Sequence, residues 1–534
     1  MGRVLTQRDE TTDELTTFAH GTRGALARAS SSDMVLTLER APLGRVLAET
    51  VNGRTIASNY DAVGNRLTRT TPSGSASTWT YDAADRPLPL TTADNTLTFT
   101  HDATGHETQR AVGGVTLGQR WDDTGRITAQ TVTSAADDLI QYRTYAYRPD
   151  GYVTQIRELT SGTRHFSLDP VGRVTGVQAH GWTERYAYDA AGNQTHASAP
   201  GQEASPEREF TGTLIRKAGR TVYEHDAAGR LIRKTRKLLN GQTRTWAYSW
   251  SAEDRLTRVV TPDGATWTYS YDPLGRRVGK TDQKGATLTF TWDMTRLAEQ
   301  TARDGETCTW DHAPKTHRPL TQTVGEAGTA CFRVVVTDAT GTPTELLTTD
   351  GEVTWQHRTT LWGIPVPAPS DAESCPLRFP GQYADPESGL HYNYFRYYDP
   401  ETARFLTPDP LGLTPSDNHH AYPRNPIRLT DPLGLAPYDL EPESEKIADH
   451  ANGEALRPDG NGTHYVRGVD PKALKFYVDG VINERIPNIE PKCGLRNGRE
   501  AFWDPDKEAV VIVDGDGGTV FTPKNGYSYF EELE

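Results

Sequence analysis

At 534 residues the chain is too long for one ordinary core, so several domains or a repeat architecture are expected. Its 4 cysteines (Cys308, Cys331, Cys375, Cys493) lack CxxC or metal-ligand spacing, which excludes a disulfide framework and a structural zinc site, and no metal or other cofactor is expected. The formal net charge of −14 excludes a large nucleic-acid-binding face over the whole protein, so a basic site must be local. The opening MGRVLTQRDETTDE has no apolar signal region, and no stretch approaches the roughly 18 apolar residues of a membrane span. Neither a signal peptide nor a span is therefore expected.

From Tyr60 to Asp293 one unit recurs: an aromatic residue, Asp, two small or turn-forming residues, Gly, then usually Arg or Asn. Clear copies begin at Tyr60, Trp121, Tyr188 and Tyr271, with weaker ones at Tyr81, His101, Leu168, His225 and Trp292. Asp61, Asp82, Asp102 and Asp122 follow one another at 20- or 21-residue spacing, the self-similarity of a repeat array. Each unit reads as a β-hairpin. The Asp side chain accepts backbone N–H bonds, the Gly supplies positive φ, and flanks such as Ser77-Thr78-Trp79-Thr80-Tyr81 alternate like strands. Such hairpins cannot bury one face alone and must stack into a continuous sheet. A competing reading takes the aromatic-Asp pairs as carbohydrate sites on a non-enzymatic surface protein.

This pattern resembles the YD repeats of the Rhs family and of the C components of insecticidal toxin complexes, and the resemblance covers roughly residues 40 to 365. It implies a mostly β fold, a curled antiparallel shell of β-hairpins over residues 1–376, followed by a small α+β domain.

Residues 377–435 carry the most distinctive run: Arg378-Phe379-Pro380-Gly381-Gln382-Tyr383, Asp385, Gly389-Leu390, Tyr392-Asn393, Arg396-Tyr397-Tyr398-Asp399-Pro400 and Arg404-Phe405-Leu406. Two identical pentapeptides follow, Asp409-Pro410-Leu411-Gly412-Leu413 and Asp431-Pro432-Leu433-Gly434-Leu435. The run is similar to the Rhs repeat-associated core, with Ala403 where that core has Gly. The resemblance implies self-cleavage after the second pentapeptide, between Leu435 and Ala436. Such chemistry needs two carboxylates close enough to share a proton, one activating water and the other polarising the scissile carbonyl. Asp409 and Asp431 are the candidates, with Arg404 to orient them electrostatically. The alternative is that each Asp merely caps an Asp-Pro-x-Gly turn.

After Leu435 the YD pattern stops, and residues 436–534 suffice for one small domain. Lys446–Leu456 and Pro471–Ile486 have helix-compatible spacing, with Leu474, Val478, Val481 and Ile482 able to share a face. Beyond Arg496 the period becomes that of strands: Ala501–Trp503, Val510–Val513 and Thr519–Thr522 form an antiparallel meander. Asp514-Gly515-Asp516-Gly517 lacks the later ligands of a calcium loop and reads as a hairpin turn.

Helices before such a meander, with the ending GTVFTPKNGYSYF, resemble the contact-dependent toxins of the colicin D, colicin E5, RelE and EndoU group. The resemblance implies metal-independent ribonuclease activity on transfer RNA. Cleavage of that kind needs a base for the ribose 2′-OH, donors for the phosphorane and an acid for the leaving oxygen. His450 is the candidate base or acid, Arg499 the phosphate clamp, Thr519 a donor to the phosphate and Tyr529 a donor or stacking partner, with His464 and Lys475 as substitutes. The structural alternatives are a helix-surface His450 and strand-packing roles for Thr519 and Tyr529. Against an RNA substrate, 20 Asp and Glu exceed 11 Lys and Arg in residues 436–534. A local cleft, or a host protein that presents the RNA, would reconcile the two.

One cysteine, Cys493, in residues 436–534 excludes a zinc deaminase, which needs C-x-x-C. An ADP-ribosyltransferase remains the enzymatic rival, with Tyr465-Val466-Arg467-Gly468 and the Glu532/Glu534 pair. The family resemblance further implies a secreted effector delivered to competitor cytoplasm, a cognate immunity protein, and a secretion apparatus engaged through an N-terminal region absent from this sequence.

Overall fold

The computed structural model describes residues 4–9, 14–21, 24–202, 207–325, 330–366, 374–413 and 416–435, and then 462–463, 466, 469, 474, 477–478, 481, 489–492, 495, 499–505, 507–514 and 517–533. The chain divides into two compact units, Met1–Leu435 and Ala436–Glu534.

The first unit is built on the expected turn. At Asp122 the carboxylate accepts the N–H groups of Thr124 (3.0 Å) and Arg126 (3.0 Å) and the Arg126 Nε (2.8 Å). Gly125, at φ +74°, closes the loop by donating its N–H to the Asp122 carbonyl (3.0 Å). These bonds to the charged form hold the Asp82, Asp102 and Asp122 carboxyls down at about 2, with the side-chain partners Arg86 and Thr104 leading at the first two sites.

The arginine also points forward to the next turn: Arg86 Nη1 donates to the Asp102 carbonyl (3.0 Å), Arg173 Nη1 to that of Asp189 (3.3 Å) and Arg230 Nη1 to that of Ser251 (2.8 Å). The aromatic residue points backward. Tyr147 Oη donates to the Ile127 carbonyl (2.6 Å), Tyr188 Oη to Val174 (2.9 Å) and Trp250 Nε1 to Leu231 (2.7 Å). The Arg126 and Arg173 guanidinium groups lie 4.9 Å from the Tyr147 and Tyr188 ring centres. Each repeat is thus fastened to its neighbours by the residues that define it, which engages the rings that a sugar would need.

Successive strands pair antiparallel into a 19-stranded sheet, Thr6–Arg8 through Gln194–Ser198, and a 15-stranded sheet, Arg208–Thr211 through Val353–Gln356. Among the described residues an isolated bridge, His196 to Glu207, links their adjoining ends. Their inner faces meet through one core in which Trp79, Leu90, Leu97, Phe99 and Val115 from the first sheet pack with Leu320, Phe332, Val334 and Leu347 from the second. Ion pairs cross the same interface: Arg54 to Glu299 (2.7 Å), Arg69 to Asp311 (2.8 Å), Arg143 to Glu345 (2.6 Å), and Arg276 to Glu49.

Residues 377–435 are largely buried against the two large sheets. Their four-stranded sheet (Tyr383–Asp385, Leu390–Asn393, Arg396–Asp399, Arg404–Phe405) packs tyrosines against both large sheets. Its anchor is Arg277, ringed by Tyr392 (4.4 Å to the ring centre), Phe290 (4.8 Å) and Tyr269 (5.4 Å) and paired with the fully buried Asp385. Asp385→Ala would leave Arg277 buried without a carboxylate, so destabilisation of about 3–5 kcal/mol is expected from denaturant unfolding of the chain. A midpoint unchanged from the parent would refute the anchoring role.

In the second unit the strands run Gly462–Thr463, Gly517–Pro523, Ala509–Asp514, Glu500–Asp504 and Glu490–Lys492 across one antiparallel sheet. The meander is present, and Asp514 pairs directly with Gly517. Leu474, Tyr477, Val478 and Val481 are helical and pack with Phe502, Val511 and Val520 on one face, while Ile482 lies outside the described residues. The other face carries Ala501, Trp503, Val510, Ile512 and Phe521, covered by Phe530 of the short helix Tyr527–Glu531. Among the described residues no helix is long and apolar enough to cross a membrane.

Candidate functional site at the Asp409–Asp431 junction

The two identical pentapeptides meet on one arginine. Arg396, 2% exposed, opens the third strand of the small sheet, and its Nη2 lies 2.7 Å from Asp409 Oδ2 and 3.3 Å from Asp431 Oδ2. Its Nη1 donates to the His419 carbonyl (3.0 Å), its Nε to the Gly434 carbonyl, and its guanidinium stacks 3.6 Å from the Phe405 ring centre. Asp431 is 1% exposed, and its Oδ1 accepts the N–H of Leu435 (2.9 Å), the residue before the expected cut.

Burial pushes the Asp409 carboxyl up to about 7. Arg396 and the Leu411 N–H (2.8 Å) pull it down and Asp431 adds to the rise, and burial outweighs both attractions. Burial likewise lowers the Arg396 pKa against the pull of the two carboxylates. A carboxyl raised to about 7 beside a second buried acid is an arrangement that can supply both an acid and a base to amide hydrolysis.

Arg404 does not orient the pair. It bonds Asn193 Oδ1 (3.2 Å) and the Thr213 carbonyl and lies 5.1 Å from the Phe210 ring centre, while burial and Arg208 lower its pKa to about 9. The cause is register: Arg404 pairs with Asp399, at the far end of the strand that Arg396 begins. Arg396 belonged to the recognised run without a role, and its position just after the hairpin tip at Tyr394 was its one local signal. Ala436 lies outside the described residues.

Of the residues expected to act in the second unit, His450, His464 and Lys475 lie outside the described residues, as do Tyr465, Arg467 and Glu534 of the rival reading. Ala501, Ile512 and Thr519 are cross-strand partners in one row. That row shares the face of Phe521, against whose ring Tyr529 packs edge-on at 5.4 Å. Arg499 precedes Ala501 by two residues, and its carbonyl accepts the Leu495 N–H (3.3 Å). Thr519 Oγ1 is buried and has no hydrogen-bond partner among the described residues. A buried pair not foreseen, Tyr477 Oη to Asp504 Oδ2 (2.8 Å), ties the helical segment to the sheet.

Comparison with known proteins bears on much of the first unit. The family model Teneurin YD-shell matches residues 153–428 and RHS Repeat matches residues 60–97. Probable deoxyribonuclease RhsB of Dickeya dadantii is 32% identical over 422 residues, 73% of this chain and 29% of that protein. Double-stranded DNA deaminase toxin A of Burkholderia cenocepacia is 29% identical over 82% of this chain and 33% of its own length. The chain thus spans about a third of these relatives. The structure of the Photorhabdus luminescens Tc holotoxin pore shares the fold over 79% of this chain and 25% of its own, with a TM-score of 0.58 at 17% identity. The turn-linked sheets, the core that fills them and the match over residues 153–428 together place this chain in the Rhs-type YD-shell family.

Proposed function

We propose that this chain is an antibacterial toxin of the Rhs type that cuts itself after Leu435 and frees residues 436–534 as a ribonuclease acting on transfer RNA in competitor cells. The observation that carries the cleavage is the shared contact of Asp409 and Asp431 with Arg396, beside a Leu435 N–H held by Asp431. Asp431 takes the proton of a water whose oxygen attacks the Leu435 carbonyl carbon, and Asp409, protonated, donates to the carbonyl oxygen. Asp431 then passes its proton to the Ala436 nitrogen and a hydroxyl proton returns to Asp409 as the tetrahedral species collapses, so that the bond to Ala436 breaks with an amine leaving and a carboxyl on Leu435.

The names of the relatives support an enzyme directed at nucleic acid. The RNA reading gives the Thr519 hydroxyl, buried on the face where Tyr529 packs and without a hydrogen-bond partner among the described residues, the role of donor to a phosphate once substrate displaces that cover. His450 supplies the base or acid and Arg499 the phosphate contact, and a cognate immunity protein protects the producer. Purified chain incubated at neutral pH yields a small fragment beginning at Ala436, and that fraction degrades total RNA. A fragment beginning elsewhere rejects the junction. Degradation of DNA with RNA intact, or consumption of NAD, rejects the ribonuclease.

A further inference from the structure

The same five residues, Asp-Pro-Leu-Gly-Leu, occur at 409–413 and 431–435, yet the surroundings of the two copies differ. Both glycines adopt the same left-handed backbone, φ +67° at Gly412 and +69° at Gly434, and each donates its N–H to the carbonyl of its own Asp. The second copy is clamped from two sides. The hairpin tip Asn393–Arg396 bonds three of its carbonyls: Asn393 Nδ2 to Asp431 (2.8 Å), the Phe395 N–H to Leu433 (3.1 Å) and Arg396 Nε to Gly434. Opposite it, Gly381 approaches so closely that a methyl group there would stand 1.9 Å from the Pro432 carbonyl oxygen. A methyl group on Gly434 would stand 2.6 Å from the Asn393 carbonyl oxygen. Among the described residues the first copy has no such neighbours: a methyl group on Gly412 would meet nothing within 4 Å, and Leu413 is 59% exposed.

We propose that the tip Asn393–Arg396 and the Gly381 ledge are the specificity determinants that select Leu435 over Leu413 as the cut site, by holding the main chain of the second pentapeptide against the two aspartates. This rests on the self-cleavage reading above. The pentapeptide sequence alone does not decide, because the two copies are identical. Asn393, Phe395 and Gly381 act as positioning residues. They fix the scissile segment, and a displacement of about 1 Å at a reacting carbonyl costs on the order of 10²-fold in rate.

The two glycines make an internal control, since alanine carries the same φ penalty at either one and only Gly434 is in contact. In the full chain, Gly434→Ala slows appearance of the fragment beginning at Ala436 by about 10²-fold, whereas Gly412→Ala cuts at close to the parental rate. Gly381→Ala, outside both pentapeptides, slows the cut like Gly434→Ala while its residual rate keeps the parental pH midpoint, because the carboxylates are untouched. No variant yields a fragment beginning at Thr414. Equal rates for Gly434→Ala and Gly412→Ala, or parental cutting by Gly381→Ala, overturn the proposal while leaving self-cleavage in place. A parent chain that stays intact removes both.

Discussion

Asp409→Asn and Asp431→Asn each leave the full-length chain as a single band on a denaturing gel, where the parent gives a large and a small fragment. Each substitution is nearly isosteric and keeps an oxygen for Arg396 Nη2, so the packing around the guanidinium survives while proton transfer does not. Loss of a group that moves a proton in the transition state costs about 10²–10⁴-fold. The parental rate depends on pH, because its acid is a carboxyl at about 7. Asp409 is protonated below that value and ionised above it, so the parental rate falls as pH rises through about 7. A rate that stays level from pH 5 to 9 would remove Asp409 as the acid. Cutting by both Asn variants at the parental rate would remove the pair altogether.

On the proposed ribonuclease reading, the released domain is expected to cleave transfer RNA in excess chelator and to leave a 2′,3′-cyclic phosphate and a 5′-hydroxyl, the products of attack by the ribose 2′-OH. His450→Ala slows this by about 10²-fold or more if that side chain transfers the proton. Thr519→Val is the sharper variant for the phosphate contact. The methyl group fills the space of a buried hydroxyl that bonds nothing among the described residues, so stability is retained, while a donor that substrate binding would uncover for the phosphorane is lost, at a cost of about 10²-fold. Arg499→Ala slows cleavage in the same direction. A product with a 5′-phosphate, or activity abolished by chelator, would assign a metal nuclease instead. Full activity of His450→Ala would move the base to His464.

The charge balance of residues 436–534 sets a further condition on that reaction. With acidic residues outnumbering basic ones almost two to one, encounter with RNA gains nothing from long-range attraction. Cleavage that weakens only slightly as salt rises follows from a local phosphate contact, whereas a steep salt slope would require a basic surface that this composition does not supply.

The meander of the second unit was legible because its strands alternate and its turns carry Asp, Pro and Gly, signals that act within a few residues. The row Ala501–Ile512–Thr519 was not, because cross-strand register is set by how neighbouring strands pair rather than by any one of them. For the same reason, sequence placed Thr519 on a strand without indicating that its hydroxyl is left unpartnered in the interior.

What the sequence determined by itself is the repeat. At turns such as Asp122–Arg126, aspartate, glycine and arginine within five residues close the loop through bonds that need no distant partner, so the motif, its period and the stacked hairpins follow from local chemistry. The tertiary structure alone decided which arginine serves the two aspartates and which of two identical pentapeptides is held. Arg404 and Arg396 stand eight residues apart in one small sheet, and the Asp399–Arg404 pairing sends the first toward Asn193 and the second toward Asp409 and Asp431. Gly381 and Asn393 discriminate between the pentapeptides from tens of residues away, through contacts that exist only once the interior is packed.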